Sequence, residues 1–231
     1  MHCALCVEYM KFKYETHCHT SESSACGRIS GRELAEYYAA NGYAGICVTD
    51  HVIGNTAVPR ELKWKDKIGG FFAGYETAKT AGERLGLDVF FGFEHSDGGN
   101  DFLILGLGRE FMLKNSDMGK VGLKEFLRRV RAAGGFIIHA HPFKEQPWIE
   151  SIRLVPGFTD AAEVVNGAET LYNPESNGRA LWYANEYNLI KAGGSDTHAV
   201  GYAALTGVAV PRRAKDINDL IAMIREGAEV I

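Results

Sequence analysis

The chain has 231 residues, 46% hydrophobic and 23% charged. These are the proportions of an ordinary globular protein and exclude wholesale disorder. Its 25 basic and 29 acidic residues give a formal charge of −4, which leaves no electrostatic footprint for general nucleic-acid binding. No apolar run approaches the roughly 18 residues of a membrane span, and residues 1–9 are too short and polar for a signal peptide, so a cytoplasmic protein without a membrane partner is expected.

Residues 1–10 read as an extension of a single domain covering 1–231. The alternating stretch 11–16 predicts the first strand. Ser30 and Glu33 have capping-box spacing, and the helix they open runs from Gly31 to a C-cap signal at Asn41-Gly42. Strand 45–49 follows, then a loop over 52–66, a helix over 70–85 and a third strand over 87–93. The fourth strand is 102–107. Helix 120–133 carries Val121, Leu123, Phe126, Leu127 and Val130 as its apolar face. A strand at 135–139, a loop over 144–159 and a strand at 161–165 come next. Helix 173–187, an apolar stretch 189–192 leading into Gly193-Gly194, strand 206–210 and helix 217–227 complete the chain. About seven strands, mostly followed by helices, give the rhythm of an α/β fold with a parallel sheet.

The eight histidines carry the chemistry. All but His2 fall at or just after the end of a predicted strand. In a barrel of parallel strands those ends share one face, where distant residues converge. His17 and His19 lie two apart, so a strand turns both imidazoles to one side, where both reach one ion. His51 is a candidate ligand, and Asp50 either binds metal or orients a ligand. Glu94 is a carboxylate able to bridge two cations; His95 points the other way if the strand continues. His139 and His141 form a second pair before Pro142, which restricts His141 to an extended conformation. His139 is a supporting contact or a core histidine. Asp196 and His198 share one side if extended; the bland alternative is a Gly-Ser-Asp turn.

The five cysteines, Cys3, Cys6, Cys18, Cys26 and Cys47, are odd in number and irregularly spaced, so no disulfide framework is expected. Cys3 and Cys6 are half a zinc pattern without a second half, and read as a chance pair.

In this order, THCHT (16–20), TDH (49–51), GFE (92–94), HP (141–142), EVVNG (163–167) and GSDTH (194–198) make the chain resemble the PHP (polymerase and histidinol phosphatase) family of metal-dependent phosphoesterases. The likeness runs from Tyr14 to about Val210. It implies a distorted TIM-like (β/α)7 barrel with the metal site at the C-terminal face of the strands. It implies two or three divalent ions, Zn, Mn or Fe, held by His17, His19, His51, Glu94, His141, Asp196 and His198. Glu94 and Asp196 are the catalytic candidates.

Two positions depart from the family pattern. Where it usually carries another acid or histidine after the first pair, this chain offers Cys26, with Glu22 as the alternative; a thiolate favours zinc. Where it often carries a histidine on the fourth strand, this chain has Leu103, with Asp101 or His139 as compensating groups.

The resemblance implies hydrolysis of a phosphate mono- or diester by a metal-activated water. The expected partner is a small phosphorylated substrate, gripped by Arg28, Lys144 or Arg179 among the basic candidates. Loops 52–66 and 144–159, with Trp64 and Trp148, are expected to decide which substrate. An amidohydrolase-like hydrolase and a non-catalytic metal-binding module are the rivals. Nucleic acid is disfavoured but kept as a substrate class. Oligomeric state is not readable.

Overall fold

The computed structural model describes residues 11–231. The 1–10 extension, with His2, Cys3 and Cys6, lies outside the described residues. In chain order the elements are β1 (Phe12–Cys18), α1 (Gly31–Ala40), β2 (Gly45–Val48), β3 (His51–Ile53), α2 (Trp64–Leu85), β4 (Asp88–Asp97), β5 (Asn100–Leu105), α3 (Arg109–Lys114), α4 (Leu123–Ala132), β6 (Phe136–Ala140), β7 (Ala161–Asn166), α5 (Gly167–Tyr172), α6 (Pro174–Glu186), β8 (Ile190–Gly194), β9 (Val208–Val210), α7 (Ile217–Arg225) and β10 (Glu229–Val230). No described helix is long and apolar enough to cross a membrane.

One sheet runs β10-β9-β1-β2-β4-β5-β6-β7-β8, with β3 added beside β4. The sheet curls until β8 meets β1. There the Asp196 N–H donates to His17 O at 2.8 Å, and the His19 N–H donates to Thr197 O at 2.9 Å. The expected distorted barrel is therefore the observed one, nearly closed.

β2 and β6 are buried along their whole length, which explains their unbroken apolar runs. Alternation sorts β5 between two cores. Leu103 and Leu105 pack with Phe136, Ile138, Ala161 and Ala192 from neighbouring strands and with Ile224 from α7. Phe102 and Ile104 face outward onto Phe126, Leu127 and Val130 of α4. The capping box at Ser30 and Glu33 is present.

The expected parallel order fails at β5, which is antiparallel to both β4 and β6. The cause is a hairpin at Gly98-Gly99, whose φ angles of 62° and 81° suit glycine. β4 runs four residues past the expected Phe93, and β5 starts at Asn100. The reversal carries the first residues of β5 to the face where the parallel strands end. β9 is also antiparallel, pairing with β1.

The 52–66 stretch is not all loop, because β3 and the first turn of α2 lie in it. Helices α3 and α5 fall outside the expected set. The 144–159 stretch is irregular apart from one 3-10 turn, Pro156–Phe158.

Helix α2 packs hard against the site. A Cβ on Gly74 would collide with Thr20 Oγ1 and approach Asp50 Oδ2 to 2.8 Å. Only glycine lets the helix pass there.

Candidate metal centre

β1 brings His17 and His19 to the barrel mouth, with their Nε2 atoms 3.2 Å apart. Glu94, high on β4, lies between two groups of imidazoles. Its Oε2 is 3.3 Å from His19 Nε2 and 3.2 Å from His51 Nδ1. Its Oε1 is 3.5 Å from His17 Nε2 and 3.6 Å from His141 Nε2. Asp196 enters from the loop after β8 and stands among three of these imidazoles. Its Oδ1 is 3.3 Å from His17 Nε2 and 3.2 Å from His19 Nε2, while its Oδ2 is 3.8 Å from His141 Nε2. The His198 ring stacks on His19 with centroids 4.5 Å apart.

These spacings suit divalent cations. Bonds of about 2.0–2.2 Å to a metal set ligand-to-ligand edges of roughly 3–3.5 Å. Ligand atoms of His17, His19 and Glu94 lie within 4.8 Å of one another, and so do those of His17, His141 and Asp196, of His19, Asp196 and His198, and of Glu94, Asp101 and His141. Glu94 Oε1 and Asp101 Oδ1 are buried and accept no hydrogen bond. Buried carboxylate oxygens without a donor are costly unless a cation satisfies them.

Asp101 reaches the site because β5 is reversed. Leu103 packs in the barrel core, and Asp101, two residues earlier on the same face, joins Glu94 and His141.

Hydrogen bonds set the tautomers that expose Nε2. Ser24 Oγ donates to Asp50 Oδ1 at 2.6 Å, so it accepts from His19 Nδ1 at 3.2 Å. Asp50 also accepts from the Thr20 N–H and hydroxyl. It therefore acts through Ser24 and the loop. Burial pushes its carboxyl up to about 7. His17 Nδ1 donates to Glu163 Oε1 at 3.0 Å, and His198 Nδ1 donates to Asp196 O at 2.8 Å.

Two carboxylates that anchor this frame were given no role from sequence, Glu163 being quoted only within EVVNG and Glu15 not at all. Glu163 Oε2 accepts the His141 N–H at 2.9 Å and Asn166 Nδ2 at 2.8 Å. Glu15 accepts the His17 N–H, the Ser195 N–H and the Tyr38 hydroxyl, tying β1, α1 and the Asp196 loop together. Each is a lone acid inside a strand buried on both faces, and that is the signal that marks it.

Charge in the centre is balanced from within. Burial would hold His17 down, but Asp196, Glu163 and Glu94 override it and hold the imidazole well above its ordinary value. Burial would raise Asp196, but Lys144, His17 and His198 hold it well below the usual carboxylate range. Burial, then the neighbouring His198 charge, lowers His19, and burial lowers His51 to about 3, which favours the neutral imidazoles a metal needs.

Two expected conformations are corrected. His141 has φ 25° and Asp196 φ 55°, so neither is extended. Positive φ strains a non-glycine residue, and such strain gathers at functional sites. The Glu163 carboxylate that holds the His141 N–H and the β8–β1 seam at Asp196 override the local preference.

His95 faces away from Glu94, stacked on Phe126 at 3.9 Å. His139 is a core residue, stacked on Phe102 at 4.7 Å, and neither ring nitrogen has a partner. Glu22 caps α1 through the Gly31 N–H and is not at the site. Arg179 pairs with Glu145 and Glu175 on the surface. Trp64 donates to Met112 O at 2.7 Å and packs the α2 region. Arg28, Lys144 and Trp148 line a cavity of about 670 Å³ that opens over Glu94, His141 and Asp196.

Burial lowers His139 to about 3. Unfolded, it takes up a proton near its ordinary value of about 6.5. Stability should therefore drain away as pH falls from that value toward the folded one. His139→Phe should remove this acid sensitivity and raise stability at neutral pH by about 1 kcal/mol, the scale of relieving an unsatisfied polar group. Urea unfolding at several pH values measures both.

Residues 174–229 match the family model described as PHP-associated. No curated protein matches the sequence. A two-domain protein from Bacteroides vulgatus, containing a predicted PHP-like metal-dependent phosphoesterase, superposes with a TM-score of 0.72 at 18% identity over 96% of this chain. This chain spans 65% of that protein's length. A protein from Bifidobacterium adolescentis, assigned as a metal-dependent phosphoesterase, gives 0.58 at 18% identity over 96% of this chain and 99% of its own. An amidohydrolase from Chromobacterium violaceum, solved with bound sulfate and no metal, gives 0.53 at 17% identity over 83% of this chain and 89% of its own. At these identities the likeness establishes the barrel fold. The PHP-associated match covers residues 174–229 alone.

Proposed function

We propose that this chain is a metal-dependent phosphoesterase that hydrolyses a small phosphate mono- or diester at a di- or trinuclear centre. His17, His19, His51, Glu94, His141, Asp196 and His198 would hold the cations, with Asp101 compensating for the imidazole expected at Leu103. The observation that carries the reading is the division of Glu94, whose Oε2 faces His19 and His51 while Oε1 faces His17 and His141, with Asp196 standing among His17, His19 and His141. Bound Zn, Mn or Fe would supply Lewis acidity and a water acidic enough to attack phosphorus near neutral pH.

The chain's own groups do the rest. Lys144, half-buried with Nζ 3.4 Å from Asp196 Oδ2, would hold a phosphoryl oxygen, and Arg28 would add charge from the cavity wall. Asp196, kept ionised by its cationic neighbours, would take a hydrogen bond from the attacking water and orient it. The cavity volume suits a small molecule.

The test pairs elemental mass spectrometry of chelator-free protein with a substrate panel. Two or three equivalents of metal and turnover of phosphate esters are expected. Metal with turnover of amides or lactones alone would favour the amidohydrolase reading, which the Chromobacterium likeness keeps in play. Digestion of single-stranded oligonucleotides would make the diester a nucleic acid. Metal without any turnover would leave a binding module. Less than one equivalent, with no uptake on addition, would overturn the metal reading itself.

A further inference from the structure

We infer that Cys26 is a sulfur ligand, completing with His19 and His51 a soft position within the centre. The inference rests on the metal-dependent reading above and goes beyond it in donor chemistry. Ligand atoms of Cys26, His19 and His51 lie within 4.8 Å of one another. Cys26 also lines the cavity over Glu94. Glu94 stands beside the same two imidazoles through Oε2, while its buried Oε1 has no hydrogen-bond partner. That orphaned oxygen faces His17 and His141 and marks a cation in the adjoining half of the centre, while the Cys26 position rests on the convergence of three ligand groups on one point.

The loop that carries the thiol is held in place from both sides. The Ala25 N–H donates to Asn55 O at 2.8 Å, the Gly27 N–H to Ser24 O at 3.1 Å, and the Arg28 N–H to His198 O at 2.7 Å. Ser24 ties the same loop to Asp50, His19 and the His51 N–H. Gly27 has no room for a side chain, since a Cβ there would collide with the Thr20 carbonyl. A loop pinned at each residue around the thiol presents it at a fixed place, which is what a ligand position requires. On binding, the thiol gives its proton to solvent and a sulfur lone pair bonds the cation.

Sulfur changes which metal the centre prefers. Thiolate with two imidazoles selects zinc, and disfavours manganese and magnesium, which prefer oxygen. The position should therefore hold zinc or cobalt more tightly than manganese, and Cys26→Asp should move that preference toward manganese.

The full chain, stripped and reloaded with cobalt(II), gives the test. Wild type should show ligand-field bands together with a near-ultraviolet sulfur-to-cobalt charge-transfer band. Cys26→Ser should keep ligand-field bands and lose the charge-transfer band, with zinc affinity at that position down by about tenfold or more. X-ray absorption of the zinc-loaded wild type needs no variant and should show a sulfur neighbour at about 2.3 Å. Cobalt bands without charge transfer, or zinc with nitrogen and oxygen neighbours only, would overturn the assignment of Cys26 and leave the metal centre standing. No cobalt uptake at all would overturn the centre and this position with it.

Discussion

Glu94→Gln should cost at least about 10³-fold in turnover, the scale of losing a preorganised electrostatic contact at a reacting centre, while the metal-free variant is at least as stable as the metal-free wild type. Both effects come from one geometry. Glu94 Oε2 belongs to the His19 and His51 half, Oε1 to the His17 and His141 half. An amide keeps the shape but lacks the charge that lets one group serve two cations. Metal content should fall by at least one equivalent.

The stability half follows from burial. Burial first, and then the neighbouring Asp101 charge, hold the Glu94 carboxyl well above the ordinary carboxylate range. Below about pH 4.3 both folded and unfolded chains carry the proton. As pH rises the unfolded chain ionises first, so folded stability falls until Glu94 itself ionises. Glutamine removes that loss. Melting curves across pH, with and without metal, should show wild type gaining strongly from metal and the variant gaining little. A variant that binds metal and turns over as wild type does would remove Glu94 from the centre.

Much of this centre was legible because strand geometry is local. Two-residue spacing is enough to place His17 and His19 on one side, and strand ends are enough to gather His51 and Glu94. What escaped depends on tertiary contacts. Asp101 was offered by the sequence as a compensating group beside His139, but the reversed strand that makes it the neighbour of Glu94 was not read. The Gly98-Gly99 dipeptide is a hairpin signal, and reading it would have turned β5 around. The backbones of His141 and Asp196 could not be read at all. Pro142 argues for an extended His141, and the closing seam, where Asp196 N–H binds His17 O, fixes a different answer for its neighbourhood. His139 and His95 show the converse. They share the strand ends with the cluster, yet alternation sends both outward onto Phe102 and Phe126. Position near the mouth gathers candidates, and the face of the strand chooses among them.

Glu163→Gln tests whether the frame behind the imidazoles matters as much as the imidazoles. Every partner of this carboxylate is a donor: His17 Nδ1, the His141 N–H and Asn166 Nδ2. A glutamine has one acceptor oxygen and one donor nitrogen. In either orientation its NH₂ faces a donor: replacing Oε1 loses one bond, replacing Oε2 loses two, and each sets donor against donor. Relaxation is limited, because a Cβ on Gly194 would already crowd Glu163 Oε1 and His17 Cβ. The expected failure is positional. Either His17 would lose the acceptor that keeps its proton on Nδ1 and its Nε2 lone pair toward the centre, or His141 would lose the anchor of its strained backbone. Metal affinity should drop by about 10–100-fold, as it does when a carboxylate behind a ligating histidine is removed. Turnover should fall at limiting metal and recover substantially at saturating metal. That recovery separates a positioning residue from one that touches the substrate, whose loss no amount of metal repairs. Titrating activity against free metal for both proteins decides it. Superimposable curves would show that Glu163 serves only to pack the barrel.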